Sequence, residues 1–320
     1  MINHFINDGY PAAGGAQKIM HQLYGASKQS RIYAFDYFKT RSGVHGKYSF
    51  LRCYAKFLWL FFFDKKQVLV LHHRIFLLPV IIFRRKNLYF VCHNIFPDKN
   101  WVFNYIKSGR FIAVSESVKS YLLEFNGDFD ISVIENGVSF DKESMKVSSE
   151  NDIYKIAFVG RLSEQKGVDL LIKAFIDFNK EIPKSELIII GDGEDKAKYQ
   201  KMACNISSVT FKGYSQYPFR ECSVADVVVV PSRYEGFGLV YYEALEYRHT
   251  VIASNLEVFY KKPNDSNVIF FEREDYIDLR EKLLVLYNSA KHSIISDSRH
   301  EMSSLQDMLG KYSEVFKGEG

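Results

Sequence analysis

Hydrophobic positions along this chain cluster in short blocks of four to six residues, and between them run longer stretches whose apolar residues recur at helical spacing. The blocks INHFIN (2–7), QVLVLH (67–72), NLYFVCHN (87–94) and RFIAVS (110–115) each end at a polar residue and predict strands. PAAGGAQKIMHQLY (11–24) predicts a glycine-rich turn entering a helix. A polar segment, DKESMKVSSEND (141–152), then interrupts the pattern, and KIAFVG (155–160) restarts it. Beyond it, helix VDLLIKAFIDFNK, strand ELIIIGDG, helix EDKAKYQKMA, strand VTFKG, helix PFRECSVA, strand VVVVPS, helix LVYYEALEY and strand VIAS follow in turn. Strand–helix alternation in two blocks predicts an α/β protein with two doubly wound domains, in which ligands bind at the carboxyl ends of strands.

One stretch in that pattern carries candidate chemistry. RYEGFGLVYYEALE (233–246) places two glutamates, Glu235 and Glu243, with seven residues between them and Gly-Phe-Gly after the first. A continuous helix is disfavoured, because Gly236 and Gly238 would each cost about 1 kcal/mol relative to alanine. The stretch therefore reads as a loop at a strand's carboxyl end, holding Glu235, that opens into a helix bearing Glu243. The N–H groups at that helix start favour an anion, which suits a phosphorylated ligand with a carboxylate on either side.

Composition narrows the class. The 320 residues are 47% hydrophobic and 25% charged, which fits two globular domains and not a disordered chain. The net charge of +4 is small, but Arg41 to Phe90 holds ten Lys or Arg against one acid, Asp64. The four cysteines (Cys53, Cys92, Cys204, Cys222) lack metal-type spacing, and the opening residues lack a basic region followed by an apolar core. The expectation is a reducing, cytoplasmic setting. The apolar runs FLWLFFF (57–63) and IFLLPVIIF (75–83) are too short to span a bilayer.

Four motifs occur in order: GGAQK (14–18), NGV (136–138), FVGRLSEQKGVDLLIKAF (158–175) and the paired glutamates, supported by HN (93–94) and IIIGDGE (188–194). Together they resemble glycosyltransferase family 4, a retaining family of GT-B architecture, over most of residues 10–254. The resemblance implies two Rossmann-like domains facing across a cleft. An acceptor-binding domain would cover 1–145 and a nucleotide-sugar domain 146–300, with a helix at about 300–320 packing back on the first.

From the residues alone, Arg161 and Lys166 project from the loop after the strand ending at Gly160, where a bidentate guanidinium and a mobile ammonium suit a diphosphate. They would neutralise a departing nucleoside diphosphate, so no metal and no cofactor beyond the donor are expected. The resemblance puts Glu243 on ribose hydroxyls and Glu235 by the donor sugar and its reacting carbon. The N–H groups from Gly236, Phe237 and Gly238 to Leu239 would face the diphosphate. Gly14 and Gly15 allow backbone to approach a phosphate or sugar, and the resemblance sets His93 near the donor sugar. Asn136 and Gly137 shape a turn before the domain junction. Two departures stand out: Tyr247-Arg248-His249-Thr250 replaces a usual glycine and proline, and Ser254-Asn255-Leu256-Glu257 replaces a glycine-rich loop.

The aromatic and basic stretch KYSFLRCYAKFLWLFFFDKK (47–66) has two readings, a partly buried core helix and an interfacial surface that meets anionic lipid. Nucleic acid is not expected, as no recognition motif accompanies it. The resulting expectation is a retaining, metal-independent glycosyltransferase moving a hexose or N-acetylhexosamine from a nucleotide sugar, UDP-linked, to a lipid-linked oligosaccharide. The resemblance and the basic patch place it in O-antigen or capsule (lipopolysaccharide, polysaccharide) assembly, peripheral at the inner face of the cell membrane. The alternatives are a nucleotide-sugar 2-epimerase of the same fold and a catalytically silent partner that recruits another transferase.

Overall fold

The computed structural model describes residues 1–8, 14–35, 47–96, 101–125, 127–138, 146–147, 152–260, 267–290 and 303–317. The chain forms two compact units, one of Met1–Gly137 with Ser303–Gly320 and one of Val138–Met302.

The first unit is built on a six-stranded sheet of β1 (Ile2–Ile6), β2 (Ser30–Ala34), β3 (Val68–Leu71), β4 (Leu88–Cys92), β5 (Ser108–Ala113) and β6 (Asp128–Val133), ordered β2-β1-β3-β4-β5-β6. Every neighbouring pair is parallel. Its helices are α1 (Gly15–Ala26), α2 (Lys47–Phe63) and α3 (Glu116–Leu123), with a 3-10 helix over Arg74–Ile81. The last helix, α10 (Leu305–Lys317), also belongs to this unit. Tyr89 donates to the carbonyl of Val315 at 3.0 Å, and Met308 and Tyr312 are buried. Gly137 sets that packing: a Cβ there would lie 2.6 Å from the Leu305 backbone, and its N–H points at Met308 Sδ, 3.2 Å away. The glycine of the NGV motif thus seats a helix as well as shaping a turn.

The second unit repeats the scheme with β7 (Tyr154–Val159), α4 (Val168–Glu181), β8 (Ser185–Ile190), α5 (Lys196–Met202), β9 (Val209–Gly213) and α6 (Pro218–Glu221). It continues through β10 (Val227–Val230), α7 (Leu239–Glu246), β11 (Thr250–Ser254), α8 (Glu257–Tyr260), β12 (Val268–Phe271) and α9 (Tyr276–Ala290). The sheet order is β12-β11-β10-β7-β8-β9, again all parallel. Strands buried on both faces need continuous apolar runs, and VVVV of β10 is fully buried. On α4, Val168, Leu171, Ile172, Phe175 and Phe178 recur at helical spacing and fill the core against Phe158, Ile189, Val227 and Val229.

Several predicted elements shift. PFRECSVA contracts to the single turn α6, opened by Pro218 at its first position. The polar junction lies mostly outside the described residues. Its Lys146 and Val147 donate to the carbonyls of Tyr247 and Ser223 at 2.9 and 2.8 Å, within the second unit. Residues 47–63 form α2, which has a buried side and an exposed one. Cys53, Phe57, Leu60 and Phe61 of α2 are buried, with Phe57 against Phe5 and Phe76 at ring distances of 5.2 and 5.1 Å. Leu51, Trp59, Phe62 and Phe63 are exposed.

In both units the chain leaves the first strand in one direction and later returns to its other side. This reversal lies between β1 and β3 in the first sheet and between β7 and β10 in the second. Loops diverging at such a point leave a crevice at the strands' carboxyl ends, the usual place for a ligand in open α/β sheets.

Candidate active site

In the second unit the crevice is bounded by the loops after β7 and β10, which are locked together. Gly167 adopts φ +65°, and a Cβ there would come within 2.0 Å of the Pro231 carbonyl oxygen, so only glycine lets the first loop lie on the end of β10. Arg233 N–H donates to the Gln165 carbonyl at 2.8 Å, and Gln165 Nε2 donates to that of Tyr234 at 2.9 Å. The Arg233 guanidinium grips both oxygens of Asp169, at the start of α4, at 2.9 Å each. Burial would raise the Asp169 pKa, but these bonds and the neighbouring positive charge hold it below the usual carboxylate range.

This clamp delivers Lys166 onto Glu235. Lys166 Nζ donates to Glu235 Oε1, and Ser232 Oγ donates to the same oxygen at 2.8 Å. Glu235 is 8% exposed and Lys166 21%, so the pair is sheltered while the lysine side chain keeps some exposure. Two residues assigned separately to diphosphate and sugar are therefore a single ion pair. Arg161 and Gly160 lie on the same loop at the end of β7, with Arg161 exposed.

The β10 loop enters α7 through Gly238, which has φ +82° and no room for a Cβ, since one would lie 2.3 Å from Phe259 of α8. No side chain hydrogen-bonds the start of α7 at Gly238. Phe237 is 3% exposed and packs against Tyr242 with ring centroids 4.8 Å apart, so its side chain belongs to the core. Glu243 is buried on the second turn of α7.

Both departures from the motif pattern have structural answers. Arg248 takes φ +63°, the left-handed geometry that normally calls for glycine at a helix end. His249 N–H then donates to the Ala244 carbonyl at 2.9 Å, closing α7. In the glycine-free loop after β11, Asn255 N–H donates to Phe271 at 2.9 Å, while its side chain donates to Glu272 and accepts from Arg273 N–H. Side-chain bonding holds a loop that glycine would otherwise make compact.

In the first unit Gly14 precedes α1 and Gly15 opens it. His93 stands directly after β4, beside a feature the sequence did not suggest. His4 Nδ1 lies 3.0 Å from His72 Nε2, and His72 Nδ1 lies 2.8 Å from His93 Nε2. The rings stack at centroid distances of 5.3 and 5.1 Å. Burial lowers all three pKa values, to about 3 for His4 and about 4 for His93, with His72 well below its ordinary value. All three rings are neutral at pH 7. Ser232, which buttresses Glu235, was also missed; its only signal was a hydroxyl in VVVVPS just ahead of the first glutamate.

The fold is shared with solved structures. The Anabaena protein HepE, in complex with UDP and glucose, is 18% identical, with 98% of both chains covered and a TM-score of 0.77. A glycosyltransferase from Rickettsia africae is 16% identical, covering 99% of this chain and 97% of its own, with a TM-score of 0.72. At these identities the likeness shows the two-domain GT-B fold. In sequence, an uncharacterized glycosyltransferase of Methanocaldococcus jannaschii is 35% identical over 192 residues, 57% of this chain and 50% of that protein. Alpha-monoglucosyldiacylglycerol synthase of Acholeplasma laidlawii is 26% identical over 210 residues, 58% and 52%. A 41.2 kDa protein of the Klebsiella pneumoniae cps region is 28% identical over 199 residues, 58% and 55%. The chain thus spans about half the length of these relatives. The pattern of the family described as glycosyl transferases group 1 matches residues 139–303, the stretch that carries the Lys166–Glu235 pair and its clamp, and the chain belongs to that family.

Proposed function

We propose that this chain is a retaining glycosyltransferase that moves a hexose or N-acetylhexosamine from a UDP-sugar to a lipid-linked oligosaccharide, in O-antigen or capsule assembly at the inner face of the cell membrane. The observation that carries the catalytic part is the sheltered Lys166–Glu235 pair held at the switch point of the second sheet. As the bond between the sugar's anomeric carbon and the diphosphate oxygen breaks, negative charge grows on the diphosphate. Lys166, Arg161 and the backbone leading into α7 supply positive charge and dipoles there. Glu235 uses Oε1 for Lys166 and Ser232, which leaves Oε2 to hold a sugar hydroxyl. Glu243 takes the ribose hydroxyls, and the acceptor hydroxyl passes its proton to the departing diphosphate oxygen. The donor is inferred from UDP and glucose in the Anabaena structure. The acceptor is inferred from the diacylglycerol and cps-region relatives and from the exposed aromatic face of α2.

The test is incubation with UDP-glucose and UDP-N-acetylglucosamine, with and without lipid-linked acceptor, following UDP release and product anomer by NMR. Transfer with the donor's configuration kept, at a rate unchanged by EDTA, is expected. An inverted product would sink the retaining assignment, and a strict metal requirement would sink the cationic one.

A further inference from the structure

The three histidines of the first unit come from three neighbouring strands: His4 from β1, His72 from the end of β3 and His93 from the end of β4. A neutral imidazole carries one N–H and one lone pair, so a nitrogen-to-nitrogen hydrogen bond fixes which ring is donor. In a chain of three the choice propagates. If His72 Nδ1–H donates to His93 Nε2, then His72 Nε2 must accept from His4 Nδ1–H, and His93 carries its proton on Nδ1. If His93 Nε2–H donates inward, His72 Nε2–H donates to His4 Nδ1, and His93 Nδ1 is a lone pair. The contacts of 2.8 and 3.0 Å permit these two states and forbid mixed ones, which would set two N–H groups or two lone pairs face to face.

We propose that His4 and His72 are positioning residues that act with His93 as one tautomer-coupled unit, deciding whether His93 Nδ1 donates to or accepts from a sugar hydroxyl bound at the carboxyl end of the first sheet. The proposal rests on the reading that His93 serves the sugar. Stacking fixes the ring plane of His93, and the bond from its Nε2 fixes its rotation, so Nδ1 is the remaining nitrogen with a defined direction. Burial keeps the rings uncharged. A structural role alone would need only the packing, which phenylalanine would largely preserve, whereas tautomer control needs the nitrogens.

The experiment uses the full chain with 15N-labelled histidine, comparing wild type with His72→Phe by long-range 15N–1H correlation, alongside UDP-glucose hydrolysis. Wild type should show His93 in one tautomer. In His72→Phe the ring should relax to a mixture, with kcat down about ten- to a hundredfold, as when the partner orienting a functional imidazole is removed, and KM changed by less than about threefold. If His72→Phe does not fold, His4→Phe keeps the His72–His93 bond but frees the chain's far end, and the same loss of a single tautomer is expected. An unchanged His93 tautomer in whichever variant folds would overturn the coupling. His93→Ala hydrolysing UDP-glucose at the wild-type rate would instead overturn the placement of His93 at the sugar, and the positioning role with it, while the Lys166–Glu235 reading would stand.

Discussion

Lys166 and Glu235 lie 69 positions apart in sequence yet form one hydrogen-bonded ion pair, and their loops are also held together by the Arg233–Gln165, Gln165–Tyr234 and Arg233–Asp169 bonds. Removing the ammonium should therefore hurt chemistry more than folding. Lys166→Ala and Arg161→Ala are each expected to cut turnover of UDP-sugar by about two or more orders of magnitude, the cost of deleting one stabiliser of transition-state charge. Lys166→Ala should also lose some stability, because Glu235 is then sheltered without its counter-charge. Steady-state kinetics beside thermal melts separate the effects, and near-wild-type turnover in both variants would remove the diphosphate role. Arg248 offers a prediction of opposite sign. A non-glycine residue in the left-handed region costs about 1–2 kcal/mol, offset by the extra freedom glycine has when unfolded. Arg248→Gly should accordingly raise stability by about 0.5–1 kcal/mol, read as a higher denaturant midpoint with an unchanged slope; a lower midpoint would mean that the arginine's own contacts outweigh its backbone strain.

At the scale of elements, the fully apolar strands and the amphipathic α4 were legible because burial on both faces or along one stripe writes a period into the sequence. The strands the pattern missed, β2, β6 and β12, are all sheet edges. DFDISV of β6 is exposed at Asp128 and Asp130 and only half-buried elsewhere, so its composition resembles a loop. Glu235, Lys166 and Arg161 could be placed from glycine spacing and charge at strand ends. Their direct pairing could not, because it depends on which strands are neighbours, and neither could Ser232 or the histidine chain. The Arg233–Asp169 clamp was equally invisible, joining the β10 loop to α4. Asp169→Asn should destabilise the second unit by about 1–3 kcal/mol, less than a fully buried pair would cost since both side chains keep some solvent contact. The folded Asp169 pKa is depressed, so its contribution is complete above the unfolded value near 4 and is lost as pH falls through the depressed one. The stability gap between wild type and variant should thus stay level from about pH 8 to 5 and close only below about pH 4. A gap that closes near neutrality would assign the effect to another group.

For the molecule as a whole, the proposed lipid-linked acceptor requires a surface that meets the membrane, and the structure brings two separate sequence runs to one candidate. Among the described residues no helix is long and apolar enough to cross a bilayer. On α2, Trp59 and Phe63 are 50% and 77% exposed; beyond the Arg74–Ile81 helix, Ile82 and Phe83 are 77% and 49% exposed, and Phe83 meets Phe62 edge-on at 5.1 Å. Arg85 joins the runs from beneath, donating to the carbonyls of Leu60, Phe61, Asp64 and Gln67 at the end of α2. Lys56 sits over the Trp59 ring at 4.5 Å, and Lys65, Lys66, Arg84 and Lys86, which follow the two aromatic runs in sequence, are exposed. Exposed apolar side chains followed in sequence by exposed cations suit an anionic lipid surface, where each cation contributes about 1 kcal/mol. Reversing Lys56, Lys65 and Lys66 to glutamate should release the chain from phosphatidylglycerol-containing vesicles, and raised salt should do the same for wild type by screening the charges. Ile82→Asp with Phe83→Asp should weaken binding even at low salt, because the insertion is lost while the cations remain. Circular dichroism should stay native in both variants, since the changed side chains are exposed or half-buried. Sedimentation with vesicles at low and high ionic strength decides the matter: a wild type that never sediments, or a triple variant that sediments like wild type, would detach this face from the membrane and leave the acceptor supported by the relatives alone.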